Sequence, residues 1–121
     1  MFKYYNANPD KKIEKDCVCR AIKAATGLKY SVVDKLLDFV AKWRNCDKLC
    51  LDCYCSLLEN VFGFKRYTPR ANVTVENVAN KFCNDVVIMR VDGHLTVALY
   101  SQVLDIWDCS DELVDVYWLV R

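Results

Sequence analysis

Between Asp16 and Gly27 the apolar positions Cys17, Ala21 and Ala25, with Val18 and Ile22 beside them, recur at the spacing of one helix face. Asp16 is a suitable N-cap and Gly27 a suitable C-cap, so the pattern predicts a helix whose alanines let neighbours pack closely. A second helix is predicted from Ser31, with Asp34 in a capping-box-like position, through Val33, Leu36, Leu37, Val40 and Trp43 to about Arg44. A third is predicted over about 47–61, carrying Leu49, Cys50, Cys53, Tyr54, Leu57, Leu58 and Val61, with Gly63 ending it. Pro69 marks an extended connection, and Thr74 is a plausible N-cap for a short helix through Val75, Val78, Ala79 and Phe82.

After Phe82 the pattern changes to period two and β-rich composition. Strands are predicted over 86–91, 95–100, 103–107 and 114–120. They are joined by Asp92-Gly93, by a tight turn near Tyr100-Ser101-Gln102, and by Cys109-Ser110-Asp111-Glu112. Helices first and an antiparallel meander second make an α+β domain, N-terminal helices packed on a C-terminal antiparallel sheet, with a single domain over 1–121.

Composition narrows the function classes. The 121 residues are 54% hydrophobic, enough for one domain that buries a core without needing a metal or disulfides to fold. With 17 basic and 16 acidic side chains the net charge is +1, so no field attracts nucleic acid or an anionic membrane. Trp43, Trp107, Trp118 and the Tyr4-Tyr5 pair do not alternate with basic residues, and they read as core or groove wall rather than as base-stacking platforms. No apolar run reaches the ~18 to 20 residues of a membrane span, and residues 1–6 lack the apolar stretch of a signal peptide. The expectation is a cytoplasmic protein, monomeric or a small homo-oligomer, whose eight cysteines are thiols.

Three residues invite chemistry. Cys17 falls in the first turn of a helix, where unpaired backbone N–H groups and the helix dipole favour a thiolate. His94, the one histidine, follows Gly93 at a strand start. Asp105 lies on the next strand, where the turn near residues 100 and 101 sets it opposite Thr96 and diagonal to His94. A thiol, a base and a third group that fixes the base make the arrangement of an activated nucleophile. Asp108 stands at the strand end, and a longer or bulged hairpin would bring it beside His94 instead. Cys19 is the nearest rival nucleophile, but it lies about 200° round the helix from Cys17 and is assigned to packing.

Several of these segments together resemble the papain-like cysteine peptidases, specifically small single-domain members found in phages, prophages and bacteria. The resemblance rests on Asp16-Cys17-Val18-Cys19-Arg20-Ala21 with Thr26-Gly27, on Phe62-Gly63-Phe64, on Thr74-Val75-Glu76 and on Gly93-His94. It extends through Asp105-Ile106-Trp107-Asp108-Cys109-Ser110 to Tyr117-Trp118. It implies a nucleophile Cys17, a general base His94 and an orienter Asp105, the last followed two positions later by a shielding aromatic. It also implies a bacterial host cell as the setting and a peptide or protein substrate cleaved through a thioester. The family usually supplies an oxyanion-hole Gln shortly before the nucleophile; none precedes Cys17 here, and Asn6 and Asn8 are the available substitutes beside the Cys17 backbone N–H. The competing expectation is a catalytically silent scaffold of the same fold, a phage-encoded binding module or inhibitor of a host protein.

Cys46, Cys50, Cys53 and Cys55 form a second cluster, and Cys50-x-x-Cys53 has a zinc-like or redox-like spacing. A structural zinc site normally draws a second ligand pair from a distant segment, where this chain offers isolated Cys83 and Cys109. Cys46, Cys50 and Cys53 fall at i, i+4 and i+7 on one helix stripe with Cys55 pointing away from it, so the cluster is read as buried thiols and no cofactor or metal is expected.

Overall fold

Helix α1 (Cys17–Thr26) ends as its sequence requires: Gly27 takes the left-handed conformation (φ 75°) and its N–H bonds the Lys23 carbonyl at 2.9 Å. The computed structural model describes residues 1–120, and its class is α+β. Helix α2 (Tyr30–Arg44) starts one residue before Ser31, on Lys29, and no side chain caps it, so the expected box with Asp34 is absent. Helix α3 (Leu51–Ser56) is much shorter than expected and passes into a π-helical turn over Leu57–Val61, closed by the Phe62 N–H to the Leu57 carbonyl at 3.0 Å. Residues 47–50 are not helical. The Asp47 side chain accepts the Leu49 N–H at 2.8 Å, a local turn that competes with helix. Helix α4 (Val75–Lys81) has the capping expected of Thr74, which bonds the Asn77 N–H while Asn77 bonds back.

The sheet has six strands in the order β1-β5-β4-β3-β6-β2. They are β1 (Phe2–Tyr4), β2 (Lys65–Tyr67), β3 (Val86–Val91), β4 (His94–Leu99), β5 (Gln102–Asp105) and β6 (Val116–Val120). The expected antiparallel meander needs correction in two respects. Strand β1 runs parallel to β5, making the sheet mixed, and β6 returns to pair with β3 rather than with β5. Strands β1 and β2 are three residues each, too short to show a period. The β4–β5 turn uses Tyr100 and Ser101 at φ 52° and 71°, which matches the twist of a two-residue hairpin.

The sheet separates two cores. On one face α1, α2 and the π-helical turn after α3 bury Ile22, Val33, Leu37, Leu57 and Leu58 against Ile88, Leu95 and Trp118. On the other, α4 buries Val75, Val78 and Ala79 against Val87, Met89, Val103 and Tyr117. The first core seats α1 across β4, which fixes where Cys17 meets the sheet. Ile22 is fully buried at this contact, so Ile22→Ala is expected to cost about 2–5 kcal/mol, read as a lower urea midpoint at unchanged slope.

Candidate active site

Cys17 is the first residue of α1 and His94 the first of β4. Gly93, at φ 66°, turns the chain so that His94 pairs with Val91 and stands at the end of the sheet. Strand β5 is held between β4 and β1, with the Tyr5 N–H on the Asp105 carbonyl at 2.8 Å. The pairing of Val97 with Leu104 continues to Thr96 beside Asp105, the register expected from the turn. A strand pinned on both sides has little freedom to move its carboxylate.

His94 Nε2 lies 2.6 Å from Asp105 Oδ2, and Asp105 Oδ1 accepts the Ile106 N–H at 2.7 Å. That leaves Nδ1 of the ring for Cys17. Trp107 packs in a T-shaped contact with the imidazole, centroids 5.1 Å apart. The structure therefore brings Cys17, His94 and Asp105 together. Asp108 instead accepts the Ser110 N–H and hydroxyl at 3.1 and 2.6 Å in an exposed turn, so the alternative orienter lies elsewhere.

Burial would raise the Cys17 thiol, but the hydrogen bond with His94, the Leu95 N–H and the charges of His94 and Arg20 outweigh it and hold the thiol below its ordinary value. Burial likewise works against a charged His94, yet the hydrogen bonds to Asp105 and Cys17 raise it to about 9. Asp105 is lowered despite burial, through the His94 hydrogen bond and charge, with Thr96 and the Ile106 N–H assisting. The three shifts all favour the charged forms, thiolate, imidazolium and carboxylate, within one hydrogen-bonded group. Cys19 stands in contrast: burial and the charge of Asp34 push it up to about 12.

Sequence reasoning missed a charged network behind this pair. Asp16 precedes α1 but makes no side-chain cap. Its carboxylate pairs with Arg20 and also accepts from Asn8 Nδ2 at 3.0 Å and the Tyr30 hydroxyl at 2.7 Å. Arg20 in turn reaches the Glu14 carbonyl at 3.1 Å and stands 4.0 Å from Asp105 Oδ1. All three charged side chains are buried, so the guanidinium is shared between two carboxylates where water cannot replace it. The i, i+4 spacing of Asp16 and Arg20 astride Cys17 was the signal available in the sequence.

Asn8 donates both amide N–H bonds, to Glu14 Oε1 at 2.9 Å and to Asp16. Asn6 donates to the Lys12 carbonyl at 2.9 Å while its oxygen accepts the Asn8 N–H at 3.0 Å. Both hold the N-terminal loop together, and neither borders the cleft beside Cys17. That cleft, about 260 Å³, is walled by Val18, Leu49, Leu51 and Tyr54 on one side and by Arg90, Gly93 and His94 on the other. At its floor the first turn of α1 offers backbone N–H groups, the Cys17 N–H among them.

The second cysteine cluster does not share a helix stripe. Cys46 and Cys50 precede α3, and Cys50 is its N-cap residue. Cys53 bonds the Leu37 carbonyl at 3.9 Å and Cys55 accepts from Arg66 at 3.8 Å. Burial first of all pushes both thiols to about 12. All eight cysteines are free. Among the described residues the one group of three potential ligand atoms within metal-site reach is His94, Asp105 and Cys109. Two of its members are already hydrogen-bonded to each other, and burial raises the third to about 11. The donor set fits a hydrogen-bonded dyad with a packed thiol better than a cation site.

Comparison with protein-family models, curated proteins and solved structures finds no match for this chain. Among the described residues no helix is long and apolar enough to cross a membrane.

Two measurements check the site. The His94 resonance in NMR is expected to titrate near 9 in the native protein, to fall toward the ordinary 6.5 in Asp105→Asn, and to stay raised in Asp108→Asn. The raised value stabilises the fold fully below 6.5, and the gain is lost as pH climbs through about 9; the lowered Asp105 adds stability above its ordinary 3.8 that is lost on acidification. Arg20→Met removes the counter-ion of the buried Asp16 and the second cation near the buried Asp105. It is expected to cost about 3–5 kcal/mol and to raise the pH at which Cys17 alkylates, read by denaturation and by peptide mass spectrometry.

Proposed function

We propose that this protein is a papain-like cysteine hydrolase that cleaves an amide bond, peptide or isopeptide, through a Cys17 thioester. The observation that carries the reading is His94 held between the buried Asp105 carboxylate and a Cys17 thiol whose proton affinity is lowered at a helix N-terminus. The Cys17 thiolate attacks the carbonyl carbon, and charge develops on oxygen beside the backbone N–H groups of the first α1 turn. Collapse breaks the C–N bond as the His94 imidazolium gives its proton to the departing amine. Water then adds to the thioester with His94 taking one proton, and the carboxylic acid leaves as the thiolate re-forms. Asp105 fixes the ring and stabilises its charge throughout, and Trp107 packs against the ring.

The cleft walls suit an apolar group on the substrate, since Val18, Leu49, Leu51 and Tyr54 face it. Its cation, Arg90, is already bonded to Asp115 and to the Tyr54 hydroxyl. A bacterial cytoplasm, as in phage or prophage proteins, is the setting we propose, with a monomer or small homo-oligomer as the working form.

One observation favours a second reading, a silent scaffold that binds a host protein: with Asn6 and Asn8 committed to the N-terminal loop, no side-chain amide borders the cleft to reinforce the oxyanion site.

Alkylation by iodoacetamide separates the two. Cys17 is expected to react well below the ~8.5 of a free thiol, ahead of the other seven cysteines, and to lose that advantage in His94→Ala. Hydrolysis of a peptide library is expected to rise as the Cys17 thiolate forms, to decline as the imidazolium deprotonates near 9, and to fall by about 10²–10⁴-fold in His94→Ala. An ordinary or inert Cys17 would overturn the catalytic reading. A reactive Cys17 without turnover or thioester on any amide tested would favour the scaffold.

A further inference from the structure

Helix α2 carries two apolar faces. Val33, Leu37 and Val40 are fully buried in the first core. Val32, Leu36, Phe39 and Trp43 follow one another in steps of four, three and four residues, and at 100° per residue they fall within an arc of about 60°. Leu36 is half-buried, whereas Val32 is 40%, Phe39 63% and Trp43 59% exposed. The spacing is that of the a and d positions of a heptad, sustained over about 16 Å of helix. A row of large apolar side chains of that length is not a scattered surface residue or two, and such rows mark interaction surfaces.

The charges beside the row define its complement. Asp34 and Asp38 are both taken by Lys48, at 2.8 and 3.0 Å. Lys35 and Lys42 border the row on its open edge, and among the described residues neither has a carboxylate within ion-pair distance. The opposite edge is the buried Val33 and Val40, against the body of the domain. The row thus has one accessible flank, and that flank is cationic.

We propose that this face of α2 docks an amphipathic helix of another protein, one with an apolar seam and acidic residues along the flank that meets Lys35 and Lys42. A second copy of this chain fits poorly, because an antiparallel isologous pair would set the lysines of one copy beside those of the other. An anionic bilayer draws on cations at both edges of an apolar stripe, and here one edge alone carries them. The surface is independent of the Cys17 chemistry.

The test uses the full chain and two labelled synthetic helices with the same leucine seam, one flanked by glutamate and one by lysine, read by fluorescence anisotropy. The glutamate helix is expected to bind at least about tenfold more tightly than the lysine helix, and less tightly as salt rises. Lys35→Glu/Lys42→Glu should reverse that preference. Phe39→Ser/Trp43→Ser should abolish binding while Cys17 alkylation and the melting temperature stay unchanged. Equal affinity for both helices, or binding of neither, would overturn the proposal. So would stripe-dependent dimerisation without peptide, or stripe-dependent binding to phosphatidylglycerol vesicles with no preference between the helices.

Discussion

A guanidinium shared by two buried carboxylates sits where the first helix meets the sheet. Arg20 leaves α1 one turn beyond Cys17, pairs with Asp16 behind the nucleophile and approaches Asp105 on β5. Each of the three would be costly to bury alone, and their mutual attraction persists because the apolar surroundings exclude water. The arrangement ties the N-terminus of α1, the loop before it and the strand carrying the acid into one rigid body. The proposed chemistry rests on that body, because the Cys17 thiol, the imidazole and the carboxylate arise from three separate segments.

The same economy of parts runs through the rest of the sheet. Asp105 uses one carboxylate oxygen for His94 and the other for its neighbour's N–H, with the arginine 4.0 Å from that second oxygen. The N-terminal loop is knitted by Asn6 and Asn8, and those bonds deny the same amides to the cleft. Structural satisfaction and a side-chain oxyanion donor are in competition for two residues, and structure has them.

Much of this is legible in the amino-acid sequence. Gly27 and the alanine-rich stripe define α1, and the β-rich runs around Gly93 and residues 100–101 place His94 and Asp105 on adjacent strands. A tight turn at residues 100–101 places Asp105 diagonal to His94, with Asp108 left open for a longer hairpin; the two-residue turn observed fixes the register that sets Asp105 beside His94. What stayed hidden depends on long-range contact. Asp16 looks like a cap until Arg20 and Tyr30 claim its oxygens. Residues 47–50 have helical spacing but obey Asp47, whose side chain bends the chain locally. Strands β1 and β2 are defined by their partners alone, because three residues carry no pattern of their own.

The parallel pairing of β1 with β5 joins Phe2–Tyr4 to residues 103–105, across nearly the whole length of the chain. Closing so large a loop has an entropic cost that local elements never meet, and contacts of this separation form late in folding. The thiol rides on a helix built from local contacts, whereas its acid is clamped by a strand about a hundred residues away in sequence. If Cys17 is the nucleophile we propose, its activation is a property of the completed topology and not of α1 alone.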